Sequence, residues 1–179
     1  MKKSFVVVAV LSAFSVGFAS NVFAKESANE YLDDSTITAT VKAHLLDNKD
    51  THSASINVET YRGVVQLSGF VASEPEKEKA AKVAAEVKGV KDVVNSVSVA
   101  PKTSIGTKLD DSVTTGKVKA ALMDSADVKS MQINVETHGG VTQLAGFVTS
   151  EKMKEKAGKV AADVSGVKSV ENVLVVKPK

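Results

Sequence analysis

Residues 32–102 align without a gap on residues 109–179, with roughly 43 of the 71 positions identical, so the chain is a tandem duplication. Whatever one copy folds into, the other must fold into as well. The pairing is constant along the repeat: Asp33-Asp34-Ser35 matches Asp110-Asp111-Ser112, and Pro101-Lys102 matches Pro178-Lys179. A unit of about 70 residues is small but can close a core of its own. The sequence therefore predicts two domains, 32–102 and 109–179, preceded by a short polar lead at 25–31 and joined by the small polar linker 103–108.

Within each copy the period of the apolar residues changes from helix to strand and back. Ile37, Val41 and Leu45, with Leu46 alongside, recur at about four residues and predict a helix that Asp34 or Ser35 would cap. The second copy keeps Val118, Leu122 and Met123 but has Thr114 for Ile37, with Val113 placed to compensate by a small rotation. Ile56, Val58 and Thr60 then alternate with polar residues, as do Val65 and Leu67, and Gly63 sits in the turn between them. That pattern is an antiparallel hairpin with one buried face. Ser73-Glu74-Pro75-Glu76 reads as a capping box opening a helix whose small face is Ala80, Val83, Ala84 and Val87, ended by Gly89. Val90, Val93, Val97 and Val99 form a last strand running in the direction of the second. The fold class is α+β: two tandem α-β-β-α-β units, each a three-stranded sheet with both helices on one face.

Ahead of the repeat, Met1-Lys2-Lys3, an apolar run from Phe5 to Phe18 and Val22-Phe23-Ala24 have the layout of a cleaved secretory signal spanning 1–24. Ser12, Ser15 and Gly17 interrupt the run below the ~20 apolar residues of a membrane span. Its removal takes Lys2 and Lys3, leaving 21 of the 23 basic residues against 21 acidic ones. A near-neutral chain has no basic footprint for nucleic acid. The aromatic residues that stay are Tyr31, Tyr61, Phe70 and Phe147, too few for a base-stacking platform. With no cysteine, neither a disulfide nor a lipid anchor through Cys is available, so packing alone must hold the fold.

The segments Gly63-Val64-Val65-Gln66-Leu67-Ser68-Gly69 and Gly89-Val90-Lys91-Asp92-Val93-Val94-Asn95 resemble the BON domain, the module of bacterial osmotically inducible and nodulation-related envelope proteins. Both copies match, the second through Gly140-Val141-Thr142-Gln143-Leu144-Ala145-Gly146 and Gly166-Val167-Lys168-Ser169-Val170-Glu171-Asn172. The resemblance implies a periplasmic protein of the osmotic or envelope stress response that associates with phospholipid or outer-membrane components. It also implies an alternative, a periplasmic chaperone holding unfolded secreted or outer-membrane proteins. It carries no catalytic residue, no cofactor and no small-molecule substrate.

The residues themselves agree in offering little chemistry. His44 and His52 become Ala121 and Lys129 in the other copy, and His138 replaces Tyr61, so no repeated zinc or general-base constellation exists. The acidic pairs Asp33-Asp34 and Asp110-Asp111 are read as helix caps, because no glycine-centred calcium loop follows them. No G-x-S-x-G elbow or P-loop ending is present. For a membrane or protein partner the candidate is the first hairpin tip, where Tyr61 pairs an interfacial aromatic ring with the cation of Arg62. The outer sheet face of Gln66, Ser68, Gln143 and Ala145, with the sheet edges, is the second.

Overall fold

The computed structural model describes residues 28–51, 55–100, 103–128 and 133–177. The signal expected over 1–24, His52, and the closing prolines Pro101 and Pro178 lie outside the described residues. The first module runs α1 (Ala28–Asp47), β1 (Ile56–Tyr61), β2 (Val64–Val71), α2 (Glu74–Ala85) and β3 (Asp92–Val99). β1 pairs antiparallel with β2, closing on Tyr61 opposite Val64, so the turn is two residues long. β3 lies parallel to β2 from Val64 opposite Asp92 to Val71 opposite Val99, as a strand returned by a crossover helix must. Ile37, Val41 and Leu45 from α1 and Ala80, Val83 and Ala84 from α2 pack with Val58, Val65, Leu67 and Val97 of the sheet, which puts both helices on one face.

The second module repeats this as α3 (Ile105–Asp124), β4 (Asn134–His138), β5 (Val141–Ala145), β6 (Phe147–Val148), α4 (Glu151–Ala162), β7 (Ser169–Asn172) and β8 (Val175–Val176). Its long strands break in two, so β4-β5-β7 and β6-β8 together occupy the place of one three-stranded sheet. Its core is also more polar near the turn. Thr114 and Thr142, standing where the first copy has Ile37 and Val65, are both buried, and Thr142 is hydrogen-bonded to Thr137 at 3.0 Å. Val113 does not take over the core position of Thr114; it remains exposed.

Four local expectations are corrected. The segment 103–108 is not a loose linker, because α3 is helical from Ile105 and Ser104 is its N-cap, accepting from the Thr107 N–H at 3.2 Å. The capping box is incomplete in the first copy: Glu76 accepts from the Ala72 N–H at 3.2 Å, but the Ser73 hydroxyl makes no cap bond. Pro75, one position into the helix, lacks one of the N–H groups that hydroxyl could have used. Ser150 does cap α4 through the Met153 N–H at 3.2 Å. Nor does Gly89 close α2 directly; the helix ends at Ala85 with Glu86 as its C-cap, and Gly89 lies in the following turn at φ 96°.

The fourth concerns Asp34 and Asp111, which cap no helix because each helix starts six residues earlier. Asp34 lies inside α1 and its two oxygens accept from the N–H groups of Arg62 and Gly63, at 2.6 and 2.8 Å. Asp111 holds Gly139 and Gly140 in the same way, at 2.8 and 2.9 Å. Both turns have two successive residues at positive φ, Arg62 (52°) with Gly63 (80°) and Gly139 (61°) with Gly140 (85°). That backbone points consecutive N–H groups at one locus, a nest that a carboxylate fills. Each first helix is thereby fastened to its hairpin. Asp34→Ala and Asp111→Ala are each expected to lower the unfolding free energy by about 2–3 kcal/mol, since charge-assisted bonds are lost and two N–H groups are stranded. Urea denaturation should record this as a lower midpoint at unchanged slope, with Asp34→Asn, which keeps one acceptor, intermediate.

Candidate functional site

The sheet face turned away from the helices was expected to be open to a partner, and it is not. Gln66 and Gln143 are 0 % and 2 % exposed, and Ser68 and Ala145 are buried as well. Each module covers the other. The Gly69 N–H donates to Gln143 Oε1 at 2.6 Å, and the Gly146 N–H donates to Gln66 Oε1 at 2.8 Å. The amide nitrogens complete the exchange: Gln66 Nε2 donates to the Val173 carbonyl at 2.7 Å, and Gln143 Nε2 donates to the Ser96 carbonyl at 3.0 Å. These four bonds form two repeat-related pairs, so the two modules meet about an approximate twofold axis, as an isologous dimer would.

This arrangement explains the glycine in each strand. Gly69 sits at φ 113°, and a β-carbon there would lie 2.2 Å from the Ser55 carbonyl oxygen. The backbone can approach that closely, and turn its N–H across the interface, only without a side chain.

At its rim the seam carries the aromatic side chains of Tyr61, Phe70 and Phe147. Tyr61 packs on Phe147 at 5.6 Å between ring centroids, and the twin contact sets His138 on Phe70 at 5.3 Å. The Lys177 ammonium lies 4.5 Å from the centre of the Tyr61 ring. Tyr61 is therefore part of the join between modules. Arg62, its neighbour at the tip, lies over the same ring at 5.5 Å.

One acidic group is part-buried at the same seam. Glu136 accepts from Asn57 Nδ2 at 2.7 Å across the modules, and burial raises its pKa above the ordinary value; Asn57, His138 and Lys119 oppose the rise. Glu59 is raised by burial too, against the pull of Lys42. Glu136 and His138 share a hollow with Ser112, but the Ser112 hydroxyl donates to the Lys108 carbonyl at 2.9 Å. A hydroxyl bonded to its own helix, with no base taking its proton, is not an activated nucleophile. Among the described residues no three His, Cys, Asp or Glu side chains converge as metal ligands.

One surface was missed by reasoning from sequence. α3 buries Asp111, Thr114, Val118 and Leu122, and on the opposite side Ile105, Leu109, Val113 and Met123 are 80, 65, 57 and 70 % exposed. Gly116 and Ala120 fall between them, and nothing lies within 4 Å of where a Gly116 side chain would begin. At 3.6 residues per turn these six positions occupy roughly 80° of arc. Lys108 and Lys119 flank the stripe on one side, and Lys117 with Asp110 and Asp124 on the other. The signal was present in Ile105, Leu109 and Val113 at intervals of four, but Met123 and Val113 had been assigned to the core. Leu46, expected beside the α1 core stripe, is likewise exposed.

Comparison with known proteins places these features in a family. The family model for the BON domain matches residues 33–101 and again 110–178. The Osmotically-inducible protein Y of Escherichia coli (strain K12) is 43 % identical over 149 residues, covering 82 % of this chain and 74 % of that protein. The 21 kDa hemolysin of Actinobacillus pleuropneumoniae is 31 % identical over 149 residues, covering 83 % and 76 %. The Outer membrane lipoprotein DolP of Haemophilus influenzae is 32 % identical over 140 residues, covering 78 % and 72 %.

The part-buried carboxyl group of Glu136 gives the seam a pH dependence. A carboxyl group raised on folding contributes stability that is fully present below its unfolded value, near 4.5, and is lost as pH rises through the higher folded value. Stability is expected to decline as pH rises above about 4.5 for this group. Glu136→Gln keeps an acceptor for Asn57 and removes the charge, so its urea midpoint should vary less between pH 4.5 and pH 8 than that of the parent. Parallel pH profiles for the two proteins would disprove the assignment.

Proposed function

The chain belongs to the BON-domain family, and from that premise we propose that it is a non-catalytic periplasmic protein of the osmotic and envelope stress response that docks on phospholipid through the outer face of α3. The observation that carries the reading is the exposed apolar stripe diametrically opposite the buried face of the same helix. A helix that is apolar on both sides has a second surface to cover. Lysines along both borders of the stripe suit a helix lying in a headgroup layer, where their stems follow the apolar surface and their ammonium groups reach outward to phosphate. No helix among the described residues is long and apolar enough to cross a membrane, so contact of this kind would be made along a surface.

The names of the relatives support the compartment. One is called osmotically inducible and another an outer membrane lipoprotein, and both share the duplicated domain with this chain over most of their length. The near-neutral charge of the repeat argues for moderate, reversible binding, driven by a few apolar side chains and aided by anionic lipid.

Leu109→Asp and Val113→Asp test this directly, in the chain from Lys25 onward. Both side chains are exposed, so unfolding stability should stay within about 0.5 kcal/mol of the parent. Co-sedimentation with phosphatidylglycerol vesicles should weaken by roughly tenfold or more for each, the equivalent of about 1.4 kcal/mol. Undiminished vesicle binding would remove α3 as the site. If the same variants instead lose protection of an unfolded outer-membrane protein against aggregation, without any vesicle binding by the parent, the stripe serves a protein client and the chaperone reading takes its place.

A further inference from the structure

Arg62 is the one described non-glycine residue at positive φ, 52°, at a place where the second copy has Gly139. An arginine held in a glycine conformation is strained, and strain of this kind is retained where the side chain has work to do. The guanidinium is placed but unmatched. It rests over the Tyr61 ring, its Nε is buried without a hydrogen-bond partner, and none of its nitrogens forms an ion pair with a described residue. A buried charged donor with nothing to donate to calls for a partner from outside the chain.

The surroundings say which kind. Arg62 lines a hollow of about 360 Å³ between α1, the hairpin turn and the loop before β3, and Lys88 and Lys91 line it as well. Lys91 is brought there by the backbone, since its N–H donates to the Gly63 carbonyl at 2.8 Å. Its stem then crosses the turn, 3.1 Å from where a Gly63 side chain would start. Neither lysine ammonium has a hydrogen-bond or ion-pair partner among the described residues. Two carboxylates share the hollow and leave it cationic: both Asp34 oxygens are occupied by the turn N–H groups, and Asp33 pairs with none of the three cations.

We propose that this hollow binds the oxyanion of a phosphate ester, with Arg62 engaging two oxygens through its planar fork and Lys88 and Lys91 supplying point charges at the rim. The second module has no such site. It carries Gly139 and Ser165 in place of Arg62 and Lys88, and its remaining lysine, Lys168, is folded back onto the Gly139 carbonyl at 3.0 Å. The site stands apart from α3 and does not depend on that helix docking anywhere.

Nitrogen-15 NMR of the chain from Lys25 onward, titrated with inorganic phosphate and with glycerol 3-phosphate at constant ionic strength, reads the site directly. Saturable shifts are expected at the Arg62 Nε–H and at the amides of Gly63, Lys88 and Lys91, with chloride producing none. Arg62→Gly restores the residue type of the second copy and relieves the strained backbone, so it should fold at least as stably as the parent while binding falls more than tenfold. Lys88→Ser should weaken binding several-fold. Shifts spread over all surface lysines, or unchanged affinity in Arg62→Gly, would overturn the proposal. Phosphatidylglycerol and phosphatidylcholine vesicles separate the sources of the phosphate. Loss of phosphatidylglycerol binding in Arg62→Gly identifies a lipid headgroup; loss of phosphate binding with vesicle binding intact identifies a free phosphate ester.

Discussion

Two glutamine side chains hold the molecule in its present form. Gln66 and Gln143 lie on strands whose outward faces would be wet in an isolated module, and each instead accepts the N–H of a glycine in the other copy. Burying a primary amide without partners is costly, and here every polar atom of both amides is used. The bond is as much a matter of specificity as of strength. A slipped register would leave two side-chain amides and two backbone N–H groups buried and unmatched, which favours one way of closing the two sheets.

That closure decides which surfaces can do anything else. With the sheet faces consumed, the molecule presents the backs of its first helices, the outer strand edges and the hairpin corners. The carboxylates of Asp34 and Asp111 then fix the angle between two of these, since each ties a first helix to the turn of its own hairpin. The α3 stripe and the hollow around Arg62 are both built on elements that this tether holds rigid.

The order of elements, the parallel third strand, the aliphatic core and the glycine-bearing hairpin turns were legible in the sequence because they follow from period and from glycine at positive φ. The packing of the two sheets was not. Gln66 and Ser68 alternate with Val65 and Leu67 as solvent-facing residues do, and hydrogen-bonding side chains read the same whether water or another module satisfies them. Asp34 misled for a related reason: an acidic residue near a helix start reads as a cap, while the N–H groups it binds are 28 and 29 residues away. Tyr61 and Arg62 were singled out as one tip, and the guanidinium does lie over the ring; what the sequence did not show is that the ring also joins the seam and the arginine also lines the hollow. The α3 stripe was hidden because a helix with apolar residues on opposite sides has no single amphipathic period.

A duplicated chain that closes about an approximate twofold axis is least free to diverge where its own copies meet at the centre of the join. The differences between the copies fall accordingly. Thr36 on α1 corresponds to Val113 on α3, so the outer helix face gains an apolar residue in the second copy. Arg62 and Lys88 correspond to Gly139 and Ser165, so the cationic hollow exists only in the first. The centre of the interface sets Gln66 on Gly146 and Gln143 on Gly69, residues identical in the two copies, whereas its rim sets Tyr61 on Phe147 but His138 on Phe70. Symmetry at the glutamine–glycine centre of the seam and asymmetry at its rim and on the outside are two consequences of one constraint. Contacts made with the repeat's own twin must stay self-complementary, whereas an outward helix face or a turn has no such obligation. Two modules joined in this way can present two chemically different surfaces, one apolar and one cationic, on a single rigid frame.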